Sequence, residues 1–95
     1  MDSVRVLIAD DHPLVVGGLR EAVFAAAPGA EIAVAHDFDS MAAALEAAPE
    51  TDLVLLDLTM PGVRGFSGLM YLRAQYPSVP IVIVVTLPPL VTERV

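Results

Sequence analysis

Leu53 to Gly62 reads Leu-Val-Leu-Leu-Asp-Leu-Thr-Met-Pro-Gly and restricts the fold more than any other stretch of the chain. Four apolar residues in a row suit a strand buried on both faces, as inside a parallel sheet. The run stops at a single carboxylate, Asp57. Met60, Pro61 and Gly62 follow closely, and a Pro-Gly pair makes a tight turn because Pro presets φ while Gly accepts positive φ. Asp57 is therefore expected at the carboxyl end of a buried strand. In open α/β sheets that is the edge where ligands and chemistry gather.

The remaining stretches repeat this design. Val4 to Ala9 is apolar except for Arg5, ends in Asp10-Asp11, and reads as a first strand. Asp11 or His12 can cap a helix entered through Pro13, with Val15, Leu19, Ala22 and Ala26 on one face until Pro28-Gly29. Glu31 to Ala35 is a short second strand. Asp39 or Ser40 is expected to cap a second helix with a Met41, Leu45, Ala48 stripe ending at Pro49. After the central stretch, Gly65 to Tyr76 shows Leu69, Leu72 and Tyr76 on one helical face, with Pro77 beyond. Ile81 to Val85 is a β-branched fourth strand ending at Thr86. Leu87-Pro88-Pro89 breaks the chain, and Leu90 to Val95 suits the first turns of another helix. Strands alternating with helix-length connections predict a parallel sheet with right-handed crossovers and helices on both faces.

Ninety-five residues make one small domain, 1–95. The 56% hydrophobic content and mean hydropathy of +0.69 fit buried parallel strands and Ala-rich helices. No apolar run approaches bilayer length, and Met-Asp-Ser-Val-Arg has no secretory pattern, so no membrane is expected and a cytoplasmic address is. Twelve acids against five bases give −7, which disfavours nucleic acid as a partner of this chain. There is no cysteine and no lysine.

In a flavodoxin-like order the first and third strands lie side by side, and both end in carboxylates. Asp10, Asp11 and Asp57 at one sheet edge repel one another unless a cation sits among them. Hard oxygen ligands, waters and a phosphate describe a Mg2+ site, which the Thr59 carbonyl can complete. Asp10-Asp11 alone also suits a helix cap and a turn acid, and Asp57 alone suits a loop acid; the combination is what points to a site. His12 reads as a surface or capping residue and His36 as a loop residue, with no partner at zinc-ligand spacing.

The acidic pair Asp10-Asp11, the Leu-Leu-Asp57-Leu-Thr-Met-Pro-Gly motif and a fourth strand ending at Thr86 resemble the receiver domains of two-component response regulators. The Asp-Asp-His-Pro run from Asp10 to Pro13 is similar to receivers with helix-turn-helix outputs, and so to transcription regulation. The resemblance runs from about residue 3 to Thr86. It implies a flavodoxin-like three-layer sandwich with strand order 2-1-3-4, lacking strand 5 and helix 5. It also implies phosphoryl transfer from a histidine kinase to Asp57, with Mg2+ held by Asp11, Asp57 and the Thr59 carbonyl, and Asp10 holding a metal-bound water. Thr86 would donate its hydroxyl to the phosphoryl group. Enzymatic activity would be at most self-phosphorylation from a phosphohistidine donor and autodephosphorylation.

Two features depart from the family. Its strand-5 lysine has no counterpart, and Leu87 stands where a small residue usually follows the switch threonine. An alternative is thus a truncated or degenerate receiver acting as a protein-interaction or dimerisation module. A haloacid-dehalogenase-type phosphatase expects a second acid where Thr59 stands. A dinucleotide-binding fragment expects a glycine fingerprint in place of Asp-Asp-His-Pro. Without strand 5, strand 4 is an unprotected edge, and self-association through it or by exchange of the segment after Thr86 is expected.

Overall fold

Each strand lies on one of the apolar runs. In the computed structural model, which describes residues 3–85, β1 (Arg5–Ala9), β2 (Glu31–Ala35), β3 (Leu53–Asp57) and β4 (Ile81–Val84) alternate with α1 (Pro13–Ala26), α2 (Phe38–Ala47) and α3 (Ser67–Gln75). Every pairing is parallel and the order is β2-β1-β3-β4, as expected. Thr86, Leu87 and the helix start at Leu90 to Val95 lie outside the described residues.

The pleat sends alternate side chains to opposite faces. Leu7, Ala9, Val54 and Leu56 pack with Met41 and Leu45 of α2 and Leu72 of α3. Val6, Ile8 and Leu55 pack instead with Val16, Leu19 and Val23 of α1. Both faces bury apolar side chains, which is why β1 and β3 read as nearly unbroken hydrophobic runs. The covering is unequal: α2 and α3 each bury residues fully, whereas α1 buries none.

Three details differ from the sequence expectation. α1 packs through Val16, Leu19 and Val23, not through the Val15, Leu19, Ala22, Ala26 face, because the bulkier valines remove more apolar area from water than the two alanines would. α2 starts earlier, and its cap is Asp37, not Asp39 or Ser40. The Asp37 carboxylate accepts from the Ser40 backbone N–H at 2.7 Å, and Ser40 Oγ accepts from the Asp37 N–H at 3.2 Å. This reciprocal pair satisfies two otherwise orphaned groups, leaving Asp39 in the first turn where its charge suits the positive helix end. α3 begins at Ser67, because Gly65 is left-handed at φ 53° and cannot belong to the helix.

The loop after β3 is fixed at both ends. Met60 and Val63 are buried, and the Val63 N–H donates to the Met60 carbonyl at 2.9 Å across Pro61-Gly62. Gly62 has φ 84°, and a Cβ there would stand 2.8 Å from Phe38 Cβ. The Phe38 N–H donates to the Pro61 carbonyl at 2.9 Å. The Pro-Gly turn therefore docks the loop onto the start of α2, and only glycine fits both the dihedral and the space.

Candidate metal and phosphoryl site

β1 and β3 are neighbours in register, with Ala9 opposite Leu56, so the residues that end them arrive together. Asp10 and Asp57 are each only 1% exposed, and Asp11 is on the surface. One ligand atom from each of Asp10, Asp11, His12 and Asp57 falls within a group whose members all lie within 4.8 Å of one another. The three aspartates expected to meet do so.

The two buried carboxylates are half-satisfied in the same way. Asp57 Oδ1 accepts from the Thr59 N–H at 2.9 Å and the Thr59 hydroxyl at 2.8 Å. Asp10 Oδ1 accepts from the His12 N–H at 2.8 Å and faces His12 Nδ1 at 2.8 Å. Their second oxygens, Asp10 Oδ2 and Asp57 Oδ2, are buried without a hydrogen-bond partner. Burying a charged oxygen without a hydrogen bond is costly, so these two favour a cation in the cluster. Oxygen donors of this kind suit Mg2+.

Thr59, two residues after Asp57, holds that carboxylate through its N–H and hydroxyl. That role was not anticipated, although an aspartate bonding the backbone two residues on is a familiar turn signal. The larger revision concerns His12. It occupies the cap position of α1 but its side chain makes no cap bond. Nδ1 instead lies 2.8 Å from Asp10 Oδ1, 3.3 Å from Asp11 Oδ1 and 3.2 Å from Asp57 Oδ2. A single N–H aims one way, so the last two contacts are Coulombic, consistent with Asp57 Oδ2 lacking a hydrogen bond. The His12 pKa is raised, first by the hydrogen bond to Asp10, against some desolvation, and then by the charges of Asp11, Asp10 and Asp57. Among the described residues no arginine pairs with these aspartates; Arg5 pairs with Glu31 and Glu50 at the opposite sheet edge.

The sequence matches the family model of the response regulator receiver domain over residues 6–88. The chain belongs to this family. The receiver is 41% identical over 80 residues to the glycerol metabolism activator of Pseudomonas putida, covering 84% of this chain and 36% of that protein. It is 30% identical over 88 residues to the transcriptional regulatory protein RcsB of Escherichia coli K12, covering 87% of this chain and 39% of RcsB. It thus spans little more than a third of these relatives. Among solved structures, the isolated receiver domain of RcsB from Salmonella enterica serovar Typhimurium, in the presence of the phosphomimetic BeF3-, superposes with a TM-score of 0.77 at 25% identity. That match covers 88% of this chain and 62% of the other.

Proposed function

We propose that this receiver accepts a phosphoryl group on Asp57 from the phosphohistidine of a histidine kinase in the cytoplasm, and passes the signal to a transcription-regulating output. The observation that carries the reading is Asp57 Oδ2. It is buried, has no hydrogen-bond partner and belongs to the acidic cluster, while Oδ1 is anchored by Thr59. Anchoring one oxygen fixes the carboxylate plane, so the other is presented in one orientation. In the step, an Asp57 oxygen forms a bond to phosphorus as the phosphorus–nitrogen bond of the donor histidine breaks, and the electron pair leaves with the imidazole nitrogen. Mg2+, held by Asp11, Asp57 and the Thr59 carbonyl with Asp10 on a bound water, would neutralise charge gathering on the phosphoryl oxygens. The two orphaned buried oxygens support that ion.

The relatives' names supply the output: an activator and a transcriptional regulatory protein. At −7 this chain itself is a poor ligand for nucleic acid. Thr86 is assigned the hydroxyl contact to the phosphoryl group. Incubation with a phosphoramidate and Mg2+, followed by intact mass measurement, tests the reading. One phosphoryl mass is expected on the native chain and none on Asp57→Asn. Equal labelling of both chains overturns it.

A further inference from the structure

The outer face of α3 carries a patch that neither the core nor the phosphoryl site uses. Phe66 holds the N-cap position of the helix, yet its side chain makes no cap bond and is 63% exposed. Ser, Thr, Asp or Asn would satisfy the helix end there, so this aromatic weakens the cap without filling the core. The Met70 N–H donates to the Phe66 carbonyl at 2.9 Å, which places Met70, 69% exposed, one turn farther along the same side. Arg64 and Arg73 flank the pair. Both are exposed, and among the described residues neither forms an ion pair. Charge divides along the chain at the same place. Of the twelve acids, all but Glu93 lie at or before Asp57, so residues 58–92 hold Arg64 and Arg73 and no carboxylate.

We propose that this face of α3 docks an acidic amphipathic segment of a partner protein, whose apolar side chains lie on Phe66 and Met70 and whose carboxylates meet Arg64 and Arg73. Phenylalanine, methionine and arginine without lysine or acids is the composition that marks protein-binding surfaces, and adjacent apolar side chains left in water favour such burial. A helix alongside α3 reaches residues spaced by three and four, which is the spacing of Phe66, Met70 and Arg73. Two arginines on a chain of net charge −7 are too few to hold nucleic acid or an anionic membrane. A pair of carboxylates matches them. The remaining acids do not forbid an acidic partner, because at physiological salt the Debye length is about 8 Å and exposed charges beyond it are largely screened. None of these residues belongs to the acidic cluster, so the inference stands apart from the phosphoryl-transfer reading.

The probes are two designed helical peptides with the same leucine stripe, one flanked by glutamates and the other by lysines. Fluorescence anisotropy follows their titration with the native chain, Phe66→Ala, Met70→Ala and Arg73→Gln. The glutamate peptide should bind the native chain roughly tenfold or more tighter than the lysine peptide, against the order that the net charge alone dictates. Each variant should weaken it by on the order of fivefold or more. In the native chain the glutamate peptide should shift the backbone amide resonances of residues 64–75, a readout that does not depend on how the variants fold. Tighter binding of the lysine peptide overturns the proposal, as does no binding of the glutamate peptide, unchanged affinity in the variants, or shifts confined to other elements. Shifts along α3 when the chain alone is concentrated, with the glutamate peptide excluded, assign the face to a second copy and overturn it too. The same shifts with vesicles of anionic lipid, and none with the peptide, assign it to a membrane and overturn it likewise.

Discussion

Thr59 holds one oxygen of Asp57 and leaves the other without a hydrogen-bond partner. Thr59→Val keeps the side-chain shape and the backbone donor but removes the hydroxyl that donates to Asp57 Oδ1. A hydrogen bond to a charged group contributes about 1.5 to 3 kcal/mol. The low end of that range is the expected loss of unfolding free energy in urea, because Thr59 is exposed. Asp57→Asn has the opposite sign without metal, since it removes one of three like charges gathered at one edge. Its thermal midpoint in chelator should exceed that of the native chain, and added Mg2+ should raise it less than it raises the native midpoint. A lower midpoint in chelator would mean that the cluster is not under repulsion. Asp10, Asp11 and Asp57 were legible because each closes or directly follows an apolar run. His12 was not. It reaches Asp57 only because β1 and β3 pair side by side, and nothing in local spacing distinguishes it from a surface histidine.

At the level of elements, the loop after β3 and the cap of α2 form one joint. Gly62→Ala places a Cβ 2.8 Å from Phe38 Cβ at φ 84°. The expected cost is about 1 to 3 kcal/mol, read as a lower denaturation midpoint with unchanged helical content at low denaturant. The Asp37 cap gives a pH dependence. Its pKa is lowered, chiefly by the hydrogen bonds from Ser40, so the native state holds this carboxyl ionised more readily than the unfolded chain does. The resulting stabilisation is fully present above the unfolded pKa of about 3.9 and is lost as pH falls through the lower folded value. Asp37→Ala should therefore reduce stability at neutral pH and flatten the acid limb of the unfolding curve. The turn was legible because Pro-Gly has few alternatives. The cap was misplaced because Asp37 and Asp39 both precede Ser40 closely, and only the 2.7 Å contact between Asp37 and the Ser40 N–H decides between them.

Across the whole molecule, the strand order came with the resemblance to receivers, and the two-sided burial of β1 and β3 follows from their nearly unbroken apolar runs. The unequal covering of the two faces does not, because it depends on how α1 settles on the sheet. Leu72, on the inner face of α3, is fully buried. Leu72→Ala should cost about 2 to 5 kcal/mol, a large share of the 5 to 15 kcal/mol typical of a domain. Among the described residues β4 is an outer strand whose Val82 is 49% exposed. Pairing of this edge between two copies is proposed, and light scattering across a dilution series should show mass falling with concentration. The phosphoryl group is proposed to reside on Asp57 alone. Borohydride reduction of the phosphorylated chain, followed by peptide sequencing, reads that claim directly. The expected result is conversion of residue 57 alone to homoserine. Conversion at Asp10 or Asp11, or no conversion in a chain that carries the phosphoryl mass, would contradict it.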